Sequence, residues 1–251
     1  MSILLQVNKL TKKYGSTVAA KDVTFNVDAG EVVGLIGLNG AGKTTCIKSI
    51  LGLLKVDAGE IVLDGVSSRN RKELATKVAY ISDEPVYFED LTVSEHITFS
   101  GMLHSVEKEE LLMRKERTIK MLRLEEHVDK LPDGLSKGLK QKLVIACSVV
   151  RDFDILIADE PFSGLDPDSI KQFKNILLDF KNRGKSILLS THLLDLAETI
   201  CDRYVVINKG KILYTGTKKE MITNAHLINN NSSLEDAFLE IIKRSESDER
   251  Y

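Results

Sequence analysis

Gly37-Leu38-Asn39-Gly40-Ala41-Gly42-Lys43-Thr44 is the stretch on which the reading of this chain turns. It fits the pattern G-x-x-x-x-G-K-S/T, and its flanks supply the context that gives the pattern meaning. The apolar run Val32 to Ile36 predicts a strand leading into it, and Cys46-Ile47-Lys48-Ser49-Ile50-Leu51 predicts a helix that starts at Thr44 and ends near Gly52. Glycines let the backbone bend tightly and aim successive N–H groups at phosphate oxygens, and the helix N-terminus adds partial positive charge. Lys43 is expected to reach the β- and γ-phosphates of a nucleotide, and Thr44 to offer its hydroxyl to Mg²⁺. The nucleotide-binding candidates are therefore Asn39, Gly40, Ala41, Gly42, Lys43, Thr44 and Thr45. The alternative, a glycine-rich turn without a ligand, is weakened by the strand and helix around it.

Working outward, Leu4 to Leu10 and Val23 to Val27 read as short strands before the loop, and Glu60 to Gly65 as a strand and turn after it. From about Leu91 to Val150 the pattern is helical and rich in charge, with Glu107 to Arg117 resembling a solvated helix face. Alternation then returns: Ile155 to Ala158 as a strand, Ser169 to Lys181 as a helix, Ser186 to Leu189 as a strand, Leu193 to Cys201 as a helix and Tyr204 to Ile207 as a strand. Strands alternating with helices imply an α/β fold with a mainly parallel sheet. Beyond about Lys218 the sequence predicts a polar helical tail with an asparagine patch, Asn229-Asn230-Asn231, and a charged end.

A second constellation lies at Asp154-Ile155-Leu156-Ile157-Ala158-Asp159-Glu160-Pro161. The apolar run is that of a strand buried on both faces, and it ends in two adjacent carboxylates. Ligands of such sheets bind beyond the carboxyl ends of the strands. Asp159 is thus placed to hold Mg²⁺ through water, and Glu160 to polarise the water that attacks the γ-phosphate. An acidic pair after a strand says little alone; beside a phosphate loop it completes a hydrolytic site.

Composition bounds what else the chain does. It has 251 residues, 43% hydrophobic and 29% charged, with a net charge of -2, so the broad basic surface needed for non-specific nucleic-acid binding is not indicated. No nucleic-acid partner is expected. Cys46, Cys147 and Cys201 show neither disulfide nor zinc spacing. Apolar runs such as Leu143 to Val150 fall short of the roughly 20 residues that cross a bilayer. The start, Met1 to Gln6, lacks signal-peptide features, so the chain is expected to stay in the cytoplasm where it is made.

At Leu135-Ser136-Lys137-Gly138-Leu139-Lys140-Gln141-Lys142 the sequence resembles the signature of ABC-transporter ATPases, usually written LSGGQ and followed by a basic helix. Further matches come in the family's order. Ser163-Gly164-Leu165-Asp166 looks like the D-loop, His192 after Ser190-Thr191 looks like the switch histidine, and Tyr14 matches the aromatic that stacks on adenine. Each has a plainer alternative: Tyr14 as a strand-end aromatic, Asp166 as a helix cap before Pro167, His192 as a helix-start polar residue. The resemblance covers about residues 3–220, and its branch looks like the bacterial ABC-2 or multidrug-exporter-like one.

The resemblance implies the fold of a P-loop NTPase ABC cassette: a RecA-like, mainly parallel sheet core, an N-terminal antiparallel β-subdomain and an inserted α-helical subdomain. Residues 1–220 would form the ATP-binding domain, with the helical part at about 86–150, and residues 221–251 a short helical tail. ATP and Mg²⁺ are the implied cofactors. Glu160, His192 and Asp83 are the implied catalytic residues, Thr44, Asp159 and Asp83 the metal-side residues, and Ser136 and Gly138 are expected to complete a partner's site across a head-to-tail dimer. A separate membrane-spanning subunit is expected to seat on residues 82–130, which places the chain on the cytoplasmic face of the membrane as a peripheral subunit.

Two departures from the family pattern stand out. Lys137 replaces the first glycine of the signature, and Leu139 stands where glutamine is common. In Tyr80-Ile81-Ser82-Asp83-Glu84-Pro85, Asp83 occupies the usual glutamine position, with shorter reach and a negative charge. Slower hydrolysis, or altered coupling to the membrane partner, is expected from that change. The competing readings are a soluble ABC ATPase outside transport and a P-loop kinase or GTPase. The first class usually carries paired cassettes or long coiled coils, and the second lacks a signature before the acidic strand.

Overall fold

The computed structural model describes residues 2–225 and 232–248. The asparagine patch at 229–231 and the last charged residues lie outside the described residues. The chain begins β1 (Ile3–Tyr14), β2 (Thr17–Asp28), β3 (Val32–Ile36), α1 (Lys43–Ile50), β4 (Ala58–Leu63), β5 (Val66–Ser67), α2 (Arg71–Lys77) and β6 (Val78–Ile81). The helices α3 (Val93–Leu103), α4 (Lys108–Leu122) and α5 (Lys137–Val149) follow. Then come β7 (Ile155–Asp159), α6 (Pro167–Asn182), β8 (Ser186–Thr191), α7 (Leu194–Ile200), β9 (Arg203–Asn208), β10 (Lys211–Gly216), α8 (Lys218–Asn224) and α9 (Leu234–Asp248).

The strands make two sheets. One is antiparallel in the order β2-β1-β4-β5. The other has the order β10-β9-β3-β8-β7-β6 and is parallel throughout except for β10. β3, β7 and β8 are buried along their whole length, which is why they read as unbroken apolar runs without alternation. Their carboxyl ends converge on one edge, where the loop after β3 and the carboxylates after β7 meet.

The hairpin extends well beyond the strands read at Leu4–Leu10 and Val23–Val27. Alternation is clean at Leu5, Val7, Val23, Phe25 and Val27, all buried. It breaks where Lys9 and Asp22 take φ of 49° and 51° and the pairing register shifts between Val7 and Leu10. Bulges of this kind shift the in/out phase of a strand, so period-2 reading stops there although pairing continues to Tyr14 and Thr17. Residues 66–81, for which the sequence pattern supplies no element, form β5, α2 and β6. β6 is short, and its role as an edge strand against β7 is a matter of pairing rather than pattern.

Three apolar cores hold the layers together. Between the sheets, Leu5, Val7, Phe25, Val33 and Leu35 close around Cys46, Ile47 and Ile50 of α1. On the opposite face of the parallel sheet, Leu156, Ala158 and Leu189 pack with Leu143, Ile145 and Ala146 of α5 and Phe173 and Leu177 of α6. The tail beyond Lys218 is less polar in effect than in composition. Met221, Leu234, Ala237, Phe238, Ile241 and Ile242 form a buried stripe against Ile36, Ala197, Tyr204 and Val206. The spacing 234, 237, 238, 241, 242 is one face of a helix, hidden in the sequence by the charges on the other face.

Cys46, Cys147 and Cys201 are free thiols, and burial pushes Cys46 and Cys147 up to about 12 and Cys201 higher still. They pack with the apolar cores as small hydrophobic side chains. Among the described residues no helix is long and apolar enough to cross a membrane.

Candidate functional site

The loop between β3 and α1 is tight because two of its glycines, Gly37 and Gly42, admit the neighbouring backbone. A Cβ on Gly37 would sit 2.3 Å from the Ile207 carbonyl oxygen, and one on Gly42 2.6 Å from that of Ala19. Gly40 and Gly42 have φ of 77° and 108°, in the region that disfavours side chains. Gly210 N–H donates to the Ala41 carbonyl at 2.9 Å, fixing the loop's flank. No acidic residue lies in the first turn of α1 and its N-cap, Gly42, offers no side-chain acceptor, so the helix's positive end stays available to an anion. Asn39, Gly40 and Thr44 are exposed, Thr45 is half-buried and Ala41 is buried.

Lys43 curls back over this loop. Its Nζ donates to the Gly37 carbonyl at 2.8 Å and the Leu38 carbonyl at 3.3 Å, and it lies 3.2 Å from Glu160 Oε1. The side chain is only 6% exposed, so this ammonium is held at the loop by its carbonyls and the one carboxylate.

Glu160 follows β7 with φ of 45°, unusual for a residue with a Cβ and costing on the order of 1–3 kcal/mol. The kink places its two oxygens on different partners. Oε1 pairs with Lys43 but receives no hydrogen bond, although it is buried. Oε2 receives the His192 backbone N–H at 3.3 Å and lies 2.9 Å from His192 Nδ1. A carboxylate only accepts, so Nδ1 is the protonated ring nitrogen of His192. Asp159, 1% exposed, accepts through Oδ1 from the Ser190 hydroxyl. The sequence pattern gives Ser190 no role; the available signal is a hydroxyl residue near the carboxyl end of a buried apolar strand, two residues before His192.

Asp83 stands at the rim. Partial desolvation, then Asp159, Glu160 and Glu84, hold its carboxyl above the usual range, while Lys137 opposes them. Burial first, then Asp159 and Asp83, pushes the neighbouring Tyr80 phenol up to about 12. Both departures from the family pattern thus sit within electrostatic reach of one another.

The remaining candidates lie further out. Ser136 caps α5, accepting from Leu139 N–H at 3.3 Å, and a Cβ on Gly138 would come within 3.2 Å of the Gly164 carbonyl oxygen. Asp166 caps α6, receiving Ser169 N–H at 2.9 Å and the Ser169 hydroxyl at 2.6 Å. Tyr14 is half-exposed at the hairpin end with Lys12 Nζ 5.5 Å from its ring centre. Among the described residues no hydrogen bond or ion pair joins Tyr14, Asp83, Ser136 or Gly138 to loop residues 37–45. The chain therefore joins Lys43, Glu160 and His192, with Asp159 next in sequence and Asp83 at their rim, and leaves Tyr14 and Ser136 exposed away from them.

Two surface hollows of about 410 and 580 Å³ share Glu110, Arg114, Arg151 and Asp152 and lie at the amino ends of the parallel strands, opposite the loop. The chemistry is at the other edge: an anion-binding cradle, a buried lysine, a carboxylate with an unfilled oxygen and a second carboxylate beside it. Among the described residues no cluster of three or more His, Cys, Asp or Glu could hold a metal unaided. The donor set fits Mg²⁺ arriving with phosphates, since that ion is held by one or two carboxylates plus phosphate oxygens.

Fold and site together define a P-loop nucleotide triphosphatase cassette. The family model for ABC transporters matches residues 20–163, more than half of the chain, and the protein belongs to that family as an ATP-binding, ATP-hydrolysing subunit. It is 36% identical over 241 residues to the ABC-type transporter ATP-binding protein EcsA of Bacillus subtilis (strain 168), covering 96% of this chain and 97% of that one. It is 37% identical over 210 residues to the SkfA peptide export ATP-binding protein SkfE of the same organism, covering 84% and 87%. A solved structure described as an ATP binding subunit of an ABC transporter superposes with a TM-score of 0.90 at 37% identity, covering 95% of this chain and 99% of that one.

Proposed function

We propose that this chain powers a membrane exporter by hydrolysing ATP at two sites shared between paired cassettes. The observation that carries the reading is Glu160, held at φ 45° with Oε1 3.2 Å from Lys43 Nζ and Oε2 2.9 Å from His192 Nδ1. A carboxylate kept between a phosphate-binding lysine and a histidine is positioned to take a proton from water attacking a γ-phosphate. Its Oε1 receives no hydrogen bond and has Lys43 as its ion-pair partner, so it gains capacity to accept that proton once Lys43 turns to phosphate.

Lys43 leaves its loop carbonyls for phosphate oxygens when nucleotide binds, and the N–H groups of residues 39–45 line the phosphates. Mg²⁺ supplies neutralisation of phosphate charge when bound, with Thr44, Asp159 and Asp83 as the residues that would hold it. His192, donating from Nδ1, orients Glu160 and reports whether the γ-phosphate is present. Tyr14 stacks on the base.

Ser136 and Gly138 act in trans. Their outward position supports this, because a signature that does not touch its own loop is free to cover a partner's. Residues 1–220 serve as the ATP-binding unit, with 86–150 as its helical part, and the tail from 221 braces it. A separate membrane-spanning subunit seats on the helical part, where Val86, Phe88, Met102 and Leu103 are exposed apolar residues in a chain without a span of its own among the described residues. The subunit would then sit on the cytoplasmic face of the membrane. Export is the direction favoured by the similarity to the SkfA peptide export protein SkfE.

Glu160→Gln tests the reading. Steady-state hydrolysis is expected to fall by at least about 100-fold, the scale of a lost general base, while ATP binding persists and size-exclusion chromatography shows a dimer with ATP. Turnover at the parent rate would remove Glu160 from this role.

A further inference from the structure

The hydroxyl of Ser190 touches both acidic residues of the site and takes part in none of the chemistry described above. Ser190 is the last residue but one of a fully buried strand, and in the parallel register of β7 and β8 it stands beside Asp159. Its hydroxyl donates to Asp159 Oδ1. Its backbone carbonyl accepts the Glu160 N–H at 3.1 Å, and the same N–H lies 3.3 Å from its hydroxyl oxygen. A carboxylate cannot donate, so the hydroxyl hydrogen must point to Asp159, which leaves the oxygen lone pairs turned to the Glu160 amide. A single rotamer meets both demands.

We propose that Ser190 is a positioning residue that ties the metal-side carboxylate of Asp159 to the backbone of Glu160, so that the two acidic groups keep one fixed geometry. The inference rests on the roles given to Asp159 and Glu160 above. Two features support it. First, Ser190 is 0% and Asp159 1% exposed, so water has little access to replace the hydroxyl if it is removed. Second, the neighbouring hydroxyl is engaged elsewhere: Thr191 Oγ1 accepts from Leu193 N–H at 3.0 Å. The left-handed backbone at Glu160 persists only where surrounding contacts over-determine it, and both oxygens of Ser190 are among those contacts. With Oδ1 engaged, Asp159 Oδ2 is the oxygen left for a metal's water shell.

Outer contacts of this kind typically change metal affinity or activity by 10–100-fold. In Ser190→Ala, the Mg²⁺ concentration that half-saturates tight binding of a fluorescent ATP analogue is expected to rise about 10-fold. The Mg²⁺-free affinity should stay within about twofold, and kcat should fall by a similar factor of about 10 with KM for MgATP little changed. Ser190→Thr, which keeps the hydroxyl, restores the Mg²⁺ dependence. Should the alanine variant fail to fold, Ser190→Cys offers a weaker donor of similar size and shows the same shift to a smaller degree. In an Asp159→Asn background the Ser190→Ala shift disappears, as coupled residues require.

A folded Ser190→Ala with parent-like Mg²⁺ dependence overturns the inference. So does a uniform loss that includes Mg²⁺-free binding, which marks a purely structural role. Glu160→Gln measured alongside separates the two levels: if it hydrolyses normally, the site reading itself has failed; if it is inactive while Ser190→Ala is unchanged, only the role of Ser190 has.

Discussion

The corner where β3, β7 and β8 end and the helical part formed by α3, α4 and α5 solve opposite problems. In the corner, polar groups are buried and nearly every one is answered: Lys43 by carbonyls, Asp159 by Ser190, Glu160 by Lys43 and His192. In the helical part, apolar groups are left open. Val86 is 82% exposed, Met102 64% and Leu103 65%, and Phe88 stacks edge-on against Phe99 with 57% of its surface uncovered. The same part is internally well made. Thr92 and Glu95 form a reciprocal cap on α3, His96 takes the Phe88 N–H on Nε2 at 2.9 Å, and α4 approaches α3 so closely that a Cβ on Gly101 would strike Leu111. Its open face is thus a rigid surface with unmet apolar area, whereas the corner is a polar device with unmet charge capacity. The corner suits the small anion, and the open face the protein partner, of the function proposed above.

Perturbing the corner should be far more costly to chemistry than perturbing the helical face. Lys43→Ala removes the ammonium proposed to bind phosphate; charge-assisted bonds of about 1.5–3 kcal/mol correspond to an expected loss of about 10–150-fold in ATP affinity, measurable by equilibrium titration. Parent-like affinity would break the contrast at once. Phe88→Glu combined with Met102→Glu puts charge on the apolar face without touching the corner. Hydrolysis by the isolated subunit is expected to stay within about twofold, while capture of the membrane-spanning partner in detergent falls by about 10-fold or more. Loss of hydrolysis instead would mean that the face supports the corner and is not a separate surface.

The smallest effect is expected at Asp83, which lies on the boundary between the two regions. Its carboxyl is raised in the folded chain, chiefly by desolvation and then by Asp159 and Glu160, so ionising it opposes folding. The stability of the protonated form is whole below the unfolded value near pH 4 and is lost as pH rises through the folded value. Asp83→Asn should therefore raise the melting temperature slightly at pH 7, with the gain shrinking toward about pH 4. A fall in melting temperature at pH 7 would assign Asp83 a stabilising partner, Lys137 being the cation that acts on it.

Much of the corner was legible because its parts are local. Gly37 to Thr44 is a contiguous loop whose residue types are dictated by backbone geometry and charge, and Ile155 to Glu160 is a contiguous strand with its carboxylates at the end. The parallel sheet followed from alternation of strands and helices. The long hairpin was read short because bulges near Lys9 and Asp22 reset the alternation, and β6 has only four residues from which to read a pattern. The buried stripe of α9 was masked by Glu235, Asp236, Glu240, Lys243 and Arg244 between its apolar positions. Asp166 shows the reverse: its cap on α6 is visible both in the Asp-Pro sequence and in the structure.

What the sequence alone determined is the inventory of groups that nucleotide chemistry needs and the order of strands and helices that carries them. Periodicity and short motifs are local properties, and local properties are written in the chain. Only the tertiary structure decided which groups meet. Ser190 stands 31 residues from Asp159, and its hydroxyl reaches that carboxylate because β7 and β8 run parallel in one register. Glu160 meets Lys43 and His192 because the carboxyl ends of β3, β7 and β8 share an edge. Contacts between distant residues are set by strand register and layer packing, which depend on the whole sheet and on no single stretch of sequence.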